Sequence, residues 1–188
     1  MLTDEMLYAR VQRGDRAALA ELVERYHSTL FKFLYRMTGD ASAAEDLVQE
    51  AFVRMITFRG KTPNCYRSWA YTIAANLARD IFRSAVFQRE IQQPLDDRQD
   101  SLASFTDSAE AVVFRRVDCH HLENVLQSLP VAQREVIVLR YYHEQSLDEI
   151  SQVCGIPLGT VKSRLYRGLR HLKNTFEREE RGIYEQAI

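Results

Sequence analysis

Five cations, Lys162, Arg164, Arg167, Arg170 and Lys173, fall between Gly159 and Lys173 with no acidic residue among them. Cations at helical spacing neutralise phosphates, and in a major groove Arg and Lys bond the acceptor atoms of guanine. Just upstream, Ser146 and Glu149 form a capping-box pair that opens a short apolar-faced helix through Leu147, Ile150 and Val153, and Gly155 offers the positive φ of a sharp turn. A short helix, a tight turn and a longer basic helix make the helix-turn-helix pattern, in which Ile150, Val153, Ile156, Val161 and Leu165 pack the two helices together. A basic helix face alone reads equally as a solvated side; the capped first helix and the turn favour DNA.

A second group lies between Arg59 and Arg89, where six basic residues meet the single Asp80. The loop RGKTPNCYRS carries Arg59 and Lys61, the aromatics Trp69 and Tyr71 follow, and a helix then offers Asn76, Arg79, Asp80 and Arg83. Single-stranded nucleic acid is held by cations on its phosphates, flat side chains under its bases, and an amide or carboxylate on a base edge. All three are present. Trp69, the only tryptophan, reads equally as a stacking residue or as core.

Catalytic chemistry does not assemble. The seven glycines form neither a P-loop nor a GxGxxG, and GxSxG and HExxH are absent from the sequence. Cys119, His120 and His121 diverge by about 100° per residue on a helix and lack a second ligand pair, so no metal and no cofactor is expected. Cys65, Cys119 and Cys154 are odd in number without CxxC spacing, which points away from a disulfide framework. No apolar run approaches about 18 residues, and the chain opens on the charged MLTDEMLYAR. The expectation is a cytoplasmic protein that is not an enzyme and does not insert stably into a membrane.

The elements that position these groups are helices. Leu19, Leu22, Val23, Tyr26, Leu30, Phe33, Leu34 and Met37 keep three-four spacing up to Gly39. Ser42 and Glu45 give a capping-box pattern for a second helix with Leu47, Val48, Ala51, Phe52, Met55 and Ile56 on one face, and Tyr66, Trp69, Ile73, Leu77 and Ile81 mark a third. Beyond the polar stretch QREIQQPLDDRQDSLASFT come a stripe from Val113 and Val117 to Leu129, then Pro130 and a helix with Val136, Ile137, Leu139 and Arg140. Total charge is −1, yet the local balance runs −2 over 1–58, +5 over 59–89, −4 over 90–118 and zero beyond. The fold class is all-α: two small helical domains, 1–88 and 113–180, joined by a flexible linker at 89–112.

In order and spacing, GDRAALAELVERYHSTLFKFLYRMTGD, AEDLVQEAFVRM, RSWAYTIAANLARDIFR, LPVAQREVIVLRYY and SLDEISQVCGIPLGTVKSRLYRGLRHL resemble the extracytoplasmic function (ECF) sigma factors of the sigma-70 family. That resemblance implies a sigma-two bundle and a sigma-four helix-turn-helix domain, core RNA polymerase and promoter DNA as partners, and promoter recognition and melting as the function. It implies docking of Asp46, Leu47, Gln49, Glu50, Phe52 and Arg54 on the β′ coiled coil, with LPVAQREVIVLRYY on the β flap. It assigns Arg59, Lys61, Tyr66, Trp69, Asn76, Arg79, Asp80 and Arg83 to the minus-ten element. Thr160, Lys162, Ser163, Arg164, Tyr166, Arg167 and Arg170 fall to the minus-thirty-five element. An anti-sigma partner is a further implication. Taken singly, each acid of AEDLVQEAFVRM reads as well as a solvating group. The loop with Pro63, Asn64 and Cys65 departs from the family pattern.

Two other classes fit parts of the sequence. A free-standing helix-turn-helix regulator accounts for residues 146–173 but leaves the block from Arg59 to Arg89 idle. An interaction protein that sequesters a partner leaves both basic blocks incidental.

Overall fold

The computed structural model describes residues 2–89 and 119–186, and among them every regular element is a helix. The linker, Val113 and Val117 lie outside the described residues, as do the side chains of Cys119, His120 and His121.

In the first half, helix α1 (Asp4–Val11) starts at Thr3, whose hydroxyl accepts from the Met6 amide at 3.3 Å. The sequence reading had no helix here, because only Leu7 and Tyr8 of its residues are buried. Helix α2 (Arg16–Thr38) is capped by Asp15 and closed by Gly39 at φ 74, whose amide returns to the Tyr35 carbonyl. Helix α3 (Ala41–Thr57) is capped not by Ser42 but by Asp40, whose carboxylate accepts from the amides of Ser42 at 2.8 Å and Ala43 at 3.1 Å. A carboxylate that takes two orphan amides outcompetes a hydroxyl that takes one. Helix α4 (Tyr66–Arg89) completes the bundle, and Ala70, Ala74, Ala75 and Ala78 bring its backbone close to its neighbours.

Leu22, Leu30, Phe33, Leu34, Met37, Val48 and Met55 fill the core between these helices, each such residue worth about 1.5–3 kcal/mol on burial. Ile56 and Ile81, expected in the core stripes, instead face outward.

The second half comprises α5 (Cys119–Ser128), α6 (Val131–Ile137), a π-helical turn (Val138–Tyr142), α7 (Leu147–Cys154) and α8 (Leu158–Gln186). Leu126, Val136, Ile137, Leu139, Ile150, Val161, Leu165 and Leu172 form its core. The α7–α8 pair is the anticipated helix-turn-helix. Ser146 and Glu149 make the capping box reciprocally, and Gly155 turns the chain at φ 66. The halves pack together, α4 against α6 and α7, and α2 against α5, α6 and the π-helical turn.

Candidate nucleic-acid and polymerase interfaces

Three surfaces carry the residues singled out by the sequence. The first is the outer side of α3. Asp46, Gln49, Glu50 and Arg54 are exposed, Glu50 holds Arg54 at 2.9 Å, and Val53 stands among them at 52% exposure. Leu47 and Phe52 lie beneath, buried. Sequence reasoning missed Val53, although its place between Glu50 and Arg54 put it on the polar face. An apolar side chain ringed by charges suits recognition of another helix.

The second surface joins α4 to the loop before it. Arg59 and Lys61 are exposed, and Arg59 donates to the Ile56 carbonyl at 3.1 Å. Gln12 and Thr62 pin the loop: the Gln12 amide donates to the Gly60 carbonyl at 3.4 Å, and the Thr62 hydroxyl donates to the Gln12 oxygen at 3.3 Å. Gly60 allows the Phe58 ring to fold close, since a Cβ there would stand 2.3 Å from that ring. Phe58 in turn lies 5.2 Å from the half-buried Trp69. This aromatic pair at the base of the loop involves Phe58, which the sequence reading did not single out.

Asn76, Asp80 and Arg83 share one exposed face of α4, with Asp80 and Arg83 3.7 Å apart. Arg79 points elsewhere, into a 3.4 Å ion pair with Glu135 of the other half. Tyr66 requires correction as a base-contacting residue. It is 1% exposed, 5.1 Å from the Tyr26 ring, with its hydroxyl on Met55 Sδ at 3.2 Å. At the first turn of α4 its side chain turns inward among Tyr8, Tyr26 and Trp69 and reaches no surface. Its amide donates to Glu5 at 2.9 Å, a bond that leads in holding that carboxyl below its ordinary range.

The third surface is the start of α8. Lys162, Tyr166 and Arg170 are exposed, whereas Thr160, Ser163, Arg164 and Arg167 are half-buried. The Ser163 hydroxyl donates back to the Thr160 carbonyl at 3.0 Å, and Val161 and Leu165 anchor the opposite side. The spacing therefore delivers a rigid cationic helix face on a closed helix-turn-helix. Among the described residues no group of three or more His, Cys, Asp or Glu side chains is placed to hold a metal. No helix among them is long and apolar enough to cross a membrane.

Residues 22–87 match the family described as Sigma-70 region 2, and residues 119–172 match Sigma-70, region 4. The chain is 33% identical over 172 residues to the ECF RNA polymerase sigma factor SigW of Bacillus subtilis, covering 87% of this chain and 91% of that protein. The chain belongs to the ECF sigma factors. It is likewise 32% identical over 167 residues to ECF sigma factor SigL of Mycobacterium tuberculosis, across 87% of this chain and 92% of that one. Among solved structures, CnrH in complex with the cytosolic domain of CnrY has the same fold, with a TM-score of 0.66, 22% identity and coverage of 93% of this chain and 97% of that one. The protein is thus an alternative sigma factor, and a free-standing helix-turn-helix regulator is set aside.

Proposed function

We propose that this sigma factor binds core RNA polymerase through the exposed side of α3, reads and melts the minus-ten element with the α4 surface, and reads the minus-thirty-five element with α8. The observation that carries this reading is the order of the three surfaces along one chain. A helix-docking patch, a basic loop with aromatics and an amide, and a basic helix-turn-helix follow one another, each matched to one task. Asn76 is the base reader of the melted strand, Asp80 orients the site, and Arg59, Lys61, Arg79 and Arg83 neutralise phosphates. Trp69, with Phe58, floors the pocket for an extruded base. Lys162, Ser163 and Arg167 face bases, while Thr160, Arg164, Tyr166 and Arg170 line the groove and its phosphates.

The LPVAQREVIVLRYY segment meets the β flap, and residues 1–88, 89–112 and 113–180 act as sigma-two, linker and sigma-four. The protein works in the cytoplasm without a cofactor or catalysis of its own. A small anti-sigma protein is a natural inhibitor, in keeping with the fold shared with sigma factor RpoE in complex with anti-sigma factor NepR from Bartonella quintana, at a TM-score of 0.57 and 23% identity over 84% of this chain and 96% of that one.

Gel-shift assays on promoter duplex test the reading. A shift requiring both this protein and core polymerase is expected. Tight duplex binding by the protein alone would contradict it.

A further inference from the structure

Helix α1 holds no residue of the proposed DNA and polymerase surfaces, yet it touches the loop at residues 58–65 from end to end. At the entry, the Tyr8 hydroxyl donates at 2.8 Å to the carbonyl of Met55, in the last turn of α3. At the exit, Glu5 accepts at 2.9 Å from the amide of Tyr66, the first residue of α4. Terminal carbonyls and amides of a helix lack intrahelical partners, and a carboxylate suits the N-terminal end of the dipole. Tyr8 and Glu5 thereby fix where α3 stops and where α4 starts.

Gln12, the residue that ends α1, reaches the loop itself. Its amide nitrogen donates to the Gly60 carbonyl at 3.4 Å, and its oxygen accepts from the Thr62 hydroxyl at 3.3 Å. A carbonyl can only accept, so Gly60 decides which way the Gln12 amide faces and leaves its oxygen for Thr62. The contacts continue inward. Phe58 folds over Gly60 and lies 5.2 Å from Trp69, whose ring lies 5.0 Å from that of Tyr8. The path from Gln12 through Gly60, Phe58 and Trp69 therefore closes again on α1.

We propose that α1 is the positioning element of the minus-ten site: Glu5 and Tyr8 set the two ends of the loop, and Gln12 holds its middle so that Phe58 stays seated on Trp69, ready for an extruded base. This role rests on the function proposed above for the loop and α4. Glu5, Tyr8 and Gln12 act through the loop and not on a base.

The loop needs such a brace. Phe58, Arg59, Gly60, Lys61, Asn64 and Cys65 are all exposed. The bonds from Arg59 to the Ile56 carbonyl and between Cys65 and Ser68 span three residues each and leave the middle of the loop untied to the bundle. A loop ordered before the strand arrives spares the entropy of ordering it at binding.

Trp69 is the only tryptophan, so its fluorescence in the free full-length chain reports the seat of Phe58 directly. Gln12 is exposed, and its replacement removes nothing from the core. Gln12→Ala should make Trp69 more accessible to acrylamide, with helical circular dichroism and the unfolding midpoint unchanged. Gln12→Glu, of equal size, sets an oxygen against the Gly60 carbonyl and should behave like alanine. Trp69 quenching that is identical in the wild type and both variants overturns the proposal.

Base capture is measured on holoenzyme assembled with core polymerase, by the anisotropy of a labelled single-stranded oligonucleotide selected from a random pool on the wild type. Both Gln12 variants should bind it about three- to tenfold more weakly, the range for hydrogen bonds of modest net strength, at unchanged affinity for core polymerase. Glu5→Ala should also weaken binding, and Glu5→Gln, which keeps the oxygen that accepts from Tyr66, should restore it. Unchanged oligonucleotide affinity in the Gln12 variants, with Asn76→Ala impaired, overturns the positioning role and leaves the minus-ten reading standing. A loss matched by a lower unfolding midpoint or weaker polymerase binding overturns it in favour of a general folding role. A wild-type holoenzyme that selects no oligonucleotide overturns the minus-ten reading and the positioning role together, while quenching still decides whether α1 holds the loop.

Discussion

The guanidinium of Arg134, on α6, donates to the main-chain oxygen of Met37, near the end of α2 in the other half of the molecule. The same group donates to the carbonyls of Gln127 at 2.7 Å and Leu129 at 3.1 Å, tying the end of α5 to α6. Burial lowers its affinity for its proton, yet a guanidinium stays charged, so the surrounding carbonyls must compensate. Arg134→Ala should therefore destabilise the second half by about 3 kcal/mol, the range for lost hydrogen bonds to a buried charge. Lysine, without the planar fork, should restore only part of this. Urea unfolding monitored by circular dichroism measures both.

The helix-turn-helix rests on two local devices. Ser146→Ala removes the hydroxyl that accepts from the Glu149 amide at 3.2 Å and should cost about 1 kcal/mol. Gly155→Ala places a Cβ at φ 66 and should cost about 1–2 kcal/mol. Both should lower the unfolding midpoint and weaken transcription from duplex promoters in proportion, since neither side chain faces the DNA surface.

Tyr66 and Asn76 separate folding from reading on a single helix. Tyr66→Ala hollows the aromatic cluster and should destabilise the first half by about 3–5 kcal/mol. Asn76→Ala, at an exposed position, should change stability by less than about 0.5 kcal/mol while reducing promoter melting. Thermal unfolding and permanganate probing of promoter thymines, run on both variants, test the pair.

His143 makes the packing around it sensitive to acid. Burial, then the fields of Arg36, Arg67 and Lys32, lower its pKa from 6.5 to about 4. Tyr71 and Phe33 also face the ring, and Asp4 and Glu144 border the cavity beside it. Between pH 6.5 and about 4 the unfolded chain binds the extra proton. His143 therefore allows full stability above that window and erodes it as pH falls, by at most about 1.4 kcal/mol per pH unit. Glu135, raised mainly by burial, runs the other way and favours the packed state as it takes up its proton. Urea midpoints across this range should show loss toward acid in the wild type and a flatter profile in His143→Gln.

Helices α4 and α8, proposed to read the promoter, were legible in the sequence because helical periodicity, the Ser146 cap and the Gly155 turn are local signals. The core stripes through Leu22, Leu30, Val48 and Met55 were legible for the same reason. Helix α1 was not, since two buried residues make no stripe. Tyr66 misled because one turn of helix decides whether an aromatic points to a base or to the core. Arg79 and Arg134 could not have been read at all. Their partners Glu135 and Met37 are 56 and 97 residues away in sequence, and nothing local announces a pairing across the linker.

Run-off transcription with purified core polymerase tests promoter recognition by this sigma factor, using the wild type, Asn76→Ala and Lys162→Ala on one promoter whose minus-ten segment is either duplex or premelted. Initiation is expected only with the protein present. On duplex DNA both variants should be weakened; on premelted DNA the melting defect of Asn76→Ala should narrow, while Lys162→Ala, at a residue proposed to read the still-duplex minus-thirty-five element, should stay weak. Full activity of both variants on duplex DNA, or initiation that does not require the protein, would contradict it.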